Sequence, residues 1–339
     1  MKALTLQRLI WICGSLLAAL FVVVVIALKV GAVPISIADL AVNLGRWIVG
    51  RGTQLPSEYQ IIVFGIRLPR IILAMLVGGA LSVSGTSFQA LLRNPLADPY
   101  VLGVSSGGAV GAILGLILAP QQPLIAPLMA FVGAIATIAA VYFLGRRKGQ
   151  LDSTTLLLAG IISASFLSAV ISFLVTTLAG RDLRGIVFWL MGDLSTPLQP
   201  SLHWVLFGGL ILGVGAIYTT AADLNVITTG EREAIHLGVD VTRVKLVVYV
   251  SASLLTGLAV SVSGAIGYVG LLVPHAMRML FGSDYRVLIP SSLIGGAIAV
   301  VAADTLARTV MKPTELPVGA VTAILGAPFF IYLLRRRLQ

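Results

Sequence analysis

Apolar residues in this chain neither alternate with polar ones nor keep to a narrow helical stripe; they run on in blocks long enough to cross a bilayer. A spanning helix needs about 20 mainly apolar residues. Charge-free blocks of that order cover residues 9–28, 71–92, 99–119, 123–145, 153–180, 194–222, 246–277, 287–303 and 316–334. The 246–277 block is 32 residues long and is interrupted by Gly257, Gly264, Gly267, Gly270 and Pro274. It divides into one full span and one short, glycine-rich span, which brings the number of expected crossings to ten. A membrane β-barrel would alternate apolar and polar positions, so this pattern excludes it. The first block, with Lys2 and Arg8 ahead of it and no small-residue cleavage site, reads as a retained helix rather than a signal peptide.

The distribution of charge supports ten. An even count puts Lys2 and Arg8 on the same side as Arg335, Arg336 and Arg337, and the cytoplasm is where cationic loops accumulate. The inner loops then carry Arg93; Arg146, Arg147 and Lys148; Arg232, Arg243 and Lys245; and Arg278 and Arg286. Of the 23 cationic residues, 14 fall inside and 9 outside. Those outside (Lys29, Arg46, Arg51, Arg67, Arg70, Arg181, Arg184, Arg308 and Lys312) run against topology rules. They call for a partner, unless they only anchor helix ends at the interface.

Composition closes off the other classes. Only 11% of the 339 residues are charged and 58% are hydrophobic. A soluble domain carries about 25% charged residues, so a soluble enzyme is excluded. The net charge of +10 needs no nucleic acid, since basic inner loops against anionic lipid account for it. Cys13 stands alone, and His203, His236 and His275 are not in metal-ligand spacing, so neither a metal site nor a cofactor is expected.

Four stretches stand out. Gly103, Gly107, Gly111 and Gly115 recur every four residues, and Gly209 and Gly213 repeat the spacing, the pattern of closely approaching membrane helices. Pro95 and Pro99 break the chain between the second and third spans, in a hairpin that also holds Arg93 and Asp98. Residues 264–278 (GAIGYVGLLVPHAMR) read as a short, kinked half-span. Residues 223–245 form the largest polar inner segment, in which Gly230 precedes a short helical pattern and Gly238 is placed to stop it. One short amphipathic helix between membrane spans suits a docking element that fits a partner's groove.

Residues 67–70 (RLPR), 78–112, 230–240 (GEREAIHLGVD), 264–278 and 313–334 together resemble the FecCD family, the permease subunits of binding-protein-dependent ABC importers for ferric siderophores, haem and cobalamin. The resemblance covers nearly the whole chain in order. It implies an all-α, polytopic bundle of ten transmembrane helices like the cobalamin-importer permease, with residues 1–339 as one permease domain. It implies a bacterial inner-membrane location with both termini cytoplasmic, and a homodimer. The further partners it implies are two ABC ATPase subunits inside and a periplasmic substrate-binding protein outside. Glu231, Arg232, Glu233, Ala234, Leu237 and Gly238 resemble the family's ATPase-coupling segment. Arg67, Arg70 and Arg308 resemble the arginines that meet glutamates of the binding protein. Asn94, Leu96, Ser153 and Thr154 resemble inner-gate positions, and the fifth and tenth spans would line the path. No catalytic residue is implied. The chain also lacks a phosphate-binding GxxxxGK[ST] loop, so ATP hydrolysis belongs to another polypeptide.

Two rivals are set against this reading. An ion-coupled carrier would place an acid within a span, and none of the blocks above contains Asp or Glu. An intramembrane serine protease would use the GxSxG at Gly103–Gly107, with Ser105 as nucleophile and His203 as its base.

Overall fold

The computed structural model describes residues 5–31, 33, 35–49, 59–147, 150–177, 183–311 and 314–337. Lys2, Arg51, Lys148, Arg181 and Lys312 lie outside the described residues. The helices are α1 (Leu6–Lys29), α2 (Ile37–Ile48), α3 (Leu68–Leu91), α4 (Val104–Leu118), α5 (Ile125–Leu144), α6 (Ser153–Thr177), α7 (Leu183–Leu190), α8 (Pro200–Thr219), α9 (Ala221–Ile227), α10 (Glu231–His236), α11 (Val241–Ser263), α12 (Val269–Phe281), α13 (Tyr285–Ala307) and α14 (Val318–Arg337). A wide π-helical segment, Gln60–Arg67, leads into α3, and a 3-10 turn, Pro99–Leu102, precedes α4. Two-residue strands β1 (Arg146–Arg147) and β2 (Gln150–Leu151) pair antiparallel between α5 and α6.

Each of the ten expected blocks holds a helix, and the long 246–277 block does divide, into α11 and α12. Among the described residues, seven helices are long and apolar enough to cross a membrane: α1, Gln60–Leu91, α5, α6, α8, α11 and α13. Val104–Leu118, Val269–Phe281 and Val318–Ile331 are apolar but shorter. Among the boundaries that differ from expectation, two change what a block contains. The sixth block begins as irregular chain and becomes helical only at Pro200. The ninth continues four residues past 303, so that α13 takes in Asp304.

Helices α3, α11 and α13 form the interior, whereas α1, α6 and α8 form an outer ring showing large apolar side chains such as Trp11, Phe21, Phe166, Trp204 and Leu212. Close backbone approach holds the interior together. A Cβ on Gly78 of α3 would overlap the Gly296 carbonyl oxygen of α13, and one on Gly296 would overlap that of Gly78. The predicted glycine ladder behaves likewise: a Cβ on Gly111 would overlap the Met129 carbonyl oxygen of α5. Its first member, Gly103, is not in the helix but caps it in a left-handed conformation. Hydroxyl groups complete the packing. Ser84 Oγ donates to the Ala252 carbonyl at 2.6 Å and Tyr249 Oη to that of Ile138 at 2.8 Å, joining α3 to α11 and α11 to α5.

These contacts rank the glycines. Gly296→Ala is expected to cost about 1–3 kcal/mol, the usual range for overpacking, and to lower the melting temperature in detergent. Gly208, whose Cβ would meet nothing within 4 Å, should accept alanine without loss. Equal melting temperatures for the two variants would contradict the packing described.

Candidate functional site

Polar chemistry gathers at the two ends of the bundle. At one end stands α10, a six-residue helix built to be rigid despite its length. The Gly238 amide donates to the Ile235 carbonyl and the Val239 amide to that of Ala234, with Gly238 left-handed at φ 83, a Schellman stop. A Cβ on Gly230 would overlap the Glu233 carboxylate, which folds back over the start of the helix. Lys245 Nζ of α11 clamps Glu231 Oε1 at 2.7 Å and donates to the Leu151 carbonyl at 3.2 Å. Ala234 is the buried anchor, while Ile235 and Leu237 are 60% and 73% exposed. Apolar side chains are thus held outward on a braced helix. Arg232 and Gly238 are exposed beside them.

The α9 helix ties this element to the rest of the bundle. Asn225 Nδ2 donates to Asp284 Oδ1 at 2.8 Å, and its Oδ1 accepts from the Tyr285 amide at 2.9 Å. Asp284 also caps α13 and meets Arg286 Nη2 at 2.7 Å. Hydrogen bonds from the Arg286 guanidinium, then from Asn225 and the Arg286 amide, hold its carboxyl down to about 2. Arg8 of α1 reaches the same end, donating to the Phe281 carbonyl at the close of α12.

The four gate candidates also lie at this end, and the structure draws them together. Asn94 Oδ1 accepts from the Leu96 amide at 2.9 Å, and Leu96 is exposed. Ser153 Oγ donates to the Leu91 carbonyl at 3.2 Å, joining the start of α6 to the end of α3, with Thr154 exposed beside it. Along α6 the hydroxyls of Ser165, Thr176 and Thr177 bond to carbonyls of their own helix.

The opposite end is ionic. Arg67, Arg70 and Arg308 are all buried, not displayed as surface cations. Arg67 donates to the carbonyls of Leu28, Lys29 and Val33 where α1 ends. Arg70 pairs with Asp304 at 2.8 Å and Glu315 at 2.7 Å. Arg308 stands 3.0 Å from Asp304 and its Nη2 lies 3.4 Å from the Ala27 carbonyl. These three cations therefore have partners within the chain, whereas Lys29 and Arg46 are exposed. Asp304 and Glu315 escaped the sequence reading. The available signal was an acid four residues before Arg308, a spacing that places both on one helix face.

Asp304 also bears on the rivals. It is an acid inside a long apolar helix, contrary to the expectation that none exists, yet it sits near the helix end between two guanidinium groups. Charges so paired describe a structural ion cluster rather than a vacant ion ligand. The serine-protease pairing fails on position. Ser105 belongs to the first turn of α4, beside the loop carrying Asn94 and Leu96, whereas His203 near the start of α8 turns its nitrogens to the carbonyls of Gln199 (3.4 Å) and Pro69 (3.3 Å), at the opposite end. Among the described residues no group of His, Cys, Asp and Glu could hold a metal ion.

Comparison with known proteins fits this arrangement. Residues 19–336 match the model of the FecCD transport family. The haemin transport system permease HmuU of Yersinia pestis is 38% identical over 330 residues, covering 96% of this chain and 95% of that one. The cobalamin import system permease BtuC of Halobacterium salinarum is 44% identical over 282 residues, 83% and 75% of the two chains. A solved structure described as an inward-facing conformation of a metal-chelate type ABC transporter superposes with a TM-score of 0.81 at 30% identity, covering 96% of this chain and 99% of that one.

Two outcomes follow from the ends as built. Asp304→Ala leaves buried Arg308 with no carboxylate and Arg70 with Glu315 alone, a change worth roughly 3–5 kcal/mol, and should sharply reduce the yield of folded protein; a normal yield and melting temperature would refute the buried pairing. Asp284 has a folded-state pKa below its unfolded value, so its contribution is present above about pH 4 and fades as pH falls toward 2. The melting-temperature gap between the parent and Asp284→Asn should therefore be constant from pH 8 to pH 5 and close below about pH 4.

Proposed function

We take as premise that the chain belongs to the FecCD transport family, whose relatives here are permeases of ABC importers for haem, cobalamin and iron chelates, and we propose how this one carries out that import. It is the multi-pass membrane permease of such an importer. The cargo is an iron chelate, haem or cobalamin, delivered by an external binding protein and released to the cytoplasm. Two copies of the chain enclose the path, and two ABC ATPase subunits sit against their inner faces. Ten crossings place both termini in the cytoplasm, with the α10 end as the inner one; α1 starts there and α14 starts near the Arg70 network.

The observation that carries the mechanism is the braced helix α10 with Ile235 and Leu237 turned outward. An apolar knob on a rigid stub at the end of a membrane bundle suits the groove of a soluble partner. With Glu231, Arg232, Glu233, Ala234, Leu237 and Gly238 as the coupling segment, closure of the ATPases on ATP pushes α10. The Lys245 and Asn225 contacts pass that push to α11 and α13. Packed helices respond by switching between discrete arrangements rather than by bending. Asn94 and Leu96 on one loop, and Ser153 and Thr154 on the other, then part as the inner gate.

The binding protein docks at the opposite end, around Arg67, Arg70 and Arg308. Because these cations already have internal acceptors, an incoming carboxylate must exchange with one of them. Glu315 is the accessible candidate, being 44% exposed where Asp304 is 1% exposed.

The test is import in proteoliposomes containing the permease, its ATPase and its binding protein. Uptake of a ferric chelate, haem or cobalamin should require both partners and ATP. Ile235→Glu with Leu237→Glu should cut uptake at least tenfold and abolish co-purification of the ATPase while leaving the melting temperature unchanged. Full-rate uptake by that variant, or by the permease alone, would overturn the mechanism.

A further inference from the structure

Three interruptions of helix meet inside the bundle. Residues 264–268 part α11 from α12, residues 191–194 follow α7, and Pro317 precedes α14. They satisfy one another: the Asp193 amide donates to the Ser263 carbonyl at 2.8 Å, and the Val318 amide to the Gly192 carbonyl at 2.9 Å. Backbone lies directly on backbone, for a Cβ on Gly264 would overlap the Trp189 carbonyl and one on Gly319 would lie 2.5 Å from that of Ala265. Irregular chain at membrane depth is tolerated only when enclosed in this way.

One residue of this junction cannot be served by the other two segments. Ile266 is fully buried, and its N–H and C=O belong to no helix. Both are met by the Tyr100 hydroxyl, which accepts from the Ile266 amide at 3.0 Å and donates to the Ile266 carbonyl at 3.1 Å. Tyr100 comes from the turn Pro99–Leu102, where Asp98 Oδ1 accepts from its amide at 2.9 Å. That turn continues the loop carrying Asn94 and Leu96. Pro99 is wedged against Gly270 in the first turn of α12, where a Cβ would lie 2.8 Å from Pro99 Cδ.

The far end of α12 returns to the α10 assembly. Phe281 accepts from Arg8, and Asp284, three residues on, accepts from Asn225 of α9. Helix α12 has 13 residues, about 20 Å of length. It is a short strut whose one end leads through Asp284 to α9, the helix that precedes α10, and whose other end is gripped by Tyr100.

We propose that Tyr100 is a positioning residue for transport. Its paired hydrogen bonds to Ile266 carry the displacement of α12 to the loop bearing Asn94 and Leu96, so that a push received at α10 moves the inner gate. The link does not slip, because slipping would leave two backbone polar groups unsatisfied in apolar surroundings. The proposal rests on the coupling and gate assignments made above.

The test uses the assembled transporter in nanodiscs, in a Cys13→Ser background, with an environment-sensitive fluorophore on Leu96→Cys or, separately, on Thr242→Cys at the start of α11. ATP with vanadate should shift both probes in the parent. In Tyr100→Phe the Thr242 probe should shift as before, while the Leu96 response falls at least threefold, uptake falls at least fivefold, and ATP hydrolysis stays within twofold. Asp98→Ala, which loosens the turn that aims Tyr100 but keeps its hydroxyl, should give the same split in weaker form. A normal Leu96 response in these variants overturns the Tyr100 link alone. A loss of melting temperature, hydrolysis and uptake in step reduces Tyr100 to a structural role and also overturns it. A Thr242 probe that is silent in the parent removes the coupling assignment, and the proposal with it.

Discussion

No water reaches the middle of a bilayer, so every backbone N–H and C=O there must find its partner within the protein. The bundle is shaped by that demand wherever it departs from plain helix. At the end of α1 the last carbonyls, those of Ala27, Leu28 and Lys29, receive guanidinium groups from Arg308 and Arg67 rather than solvent. Where α11 breaks before α12, the orphaned groups of Ile266 are met by one phenol. Where α7 and α14 break, their backbones pair with each other and with the end of α11. Each irregularity is therefore a contact between segments distant in sequence, and each contact fixes how those segments move together.

Glycine works to the same end through geometry. Removing a side chain at Gly78 and Gly296 lets α3 and α13 touch along their backbones, and removing it at Gly111 does the same for α4 and α5. Helices this close cannot slide past one another without collision. Motion is then confined to rotation of whole packed groups.

Much of this was legible in the chain because it depends on local pattern. Block length located the helices, interrupting glycines divided α11 from α12, and Gly230 with Gly238 marked the ends of α10. Other features were hidden because they depend on depth or on distant partners. A block ends, on paper, at its first charge, so residues 287–303 stopped one short of Asp304; in the fold, Arg70 and Arg308 neutralise that acid and the helix continues. Arg67, Arg70 and Arg308 looked like surface cations for the same reason, since a sequence shows the sign of a charge but not what it faces. The pairing of Tyr100 with Ile266 spans 166 positions, and nothing local to either residue announces it.

The two ends of the bundle differ in how they resist displacement. At the Arg70 end the ties are buried ion pairs, with Asp304 1% exposed between two guanidinium groups. Pulling such charges apart in a low-dielectric interior is steeply unfavourable. At the α10 end each tie has a partly solvated acidic partner: buried Lys245 to Glu231, which is 35% exposed, and Asn225 to Asp284 at a helix cap. Water reaches the acidic side of each of these ties, so loosening them is less unfavourable than parting the Asp304 cluster. On the coupling proposed above, a force entering at α10 meets the more yielding ties close by and the stiffest at the far end. On that same proposal the ionic cluster is the fulcrum, and the loops that carry Asn94, Leu96, Ser153 and Thr154 lie at the end free to move.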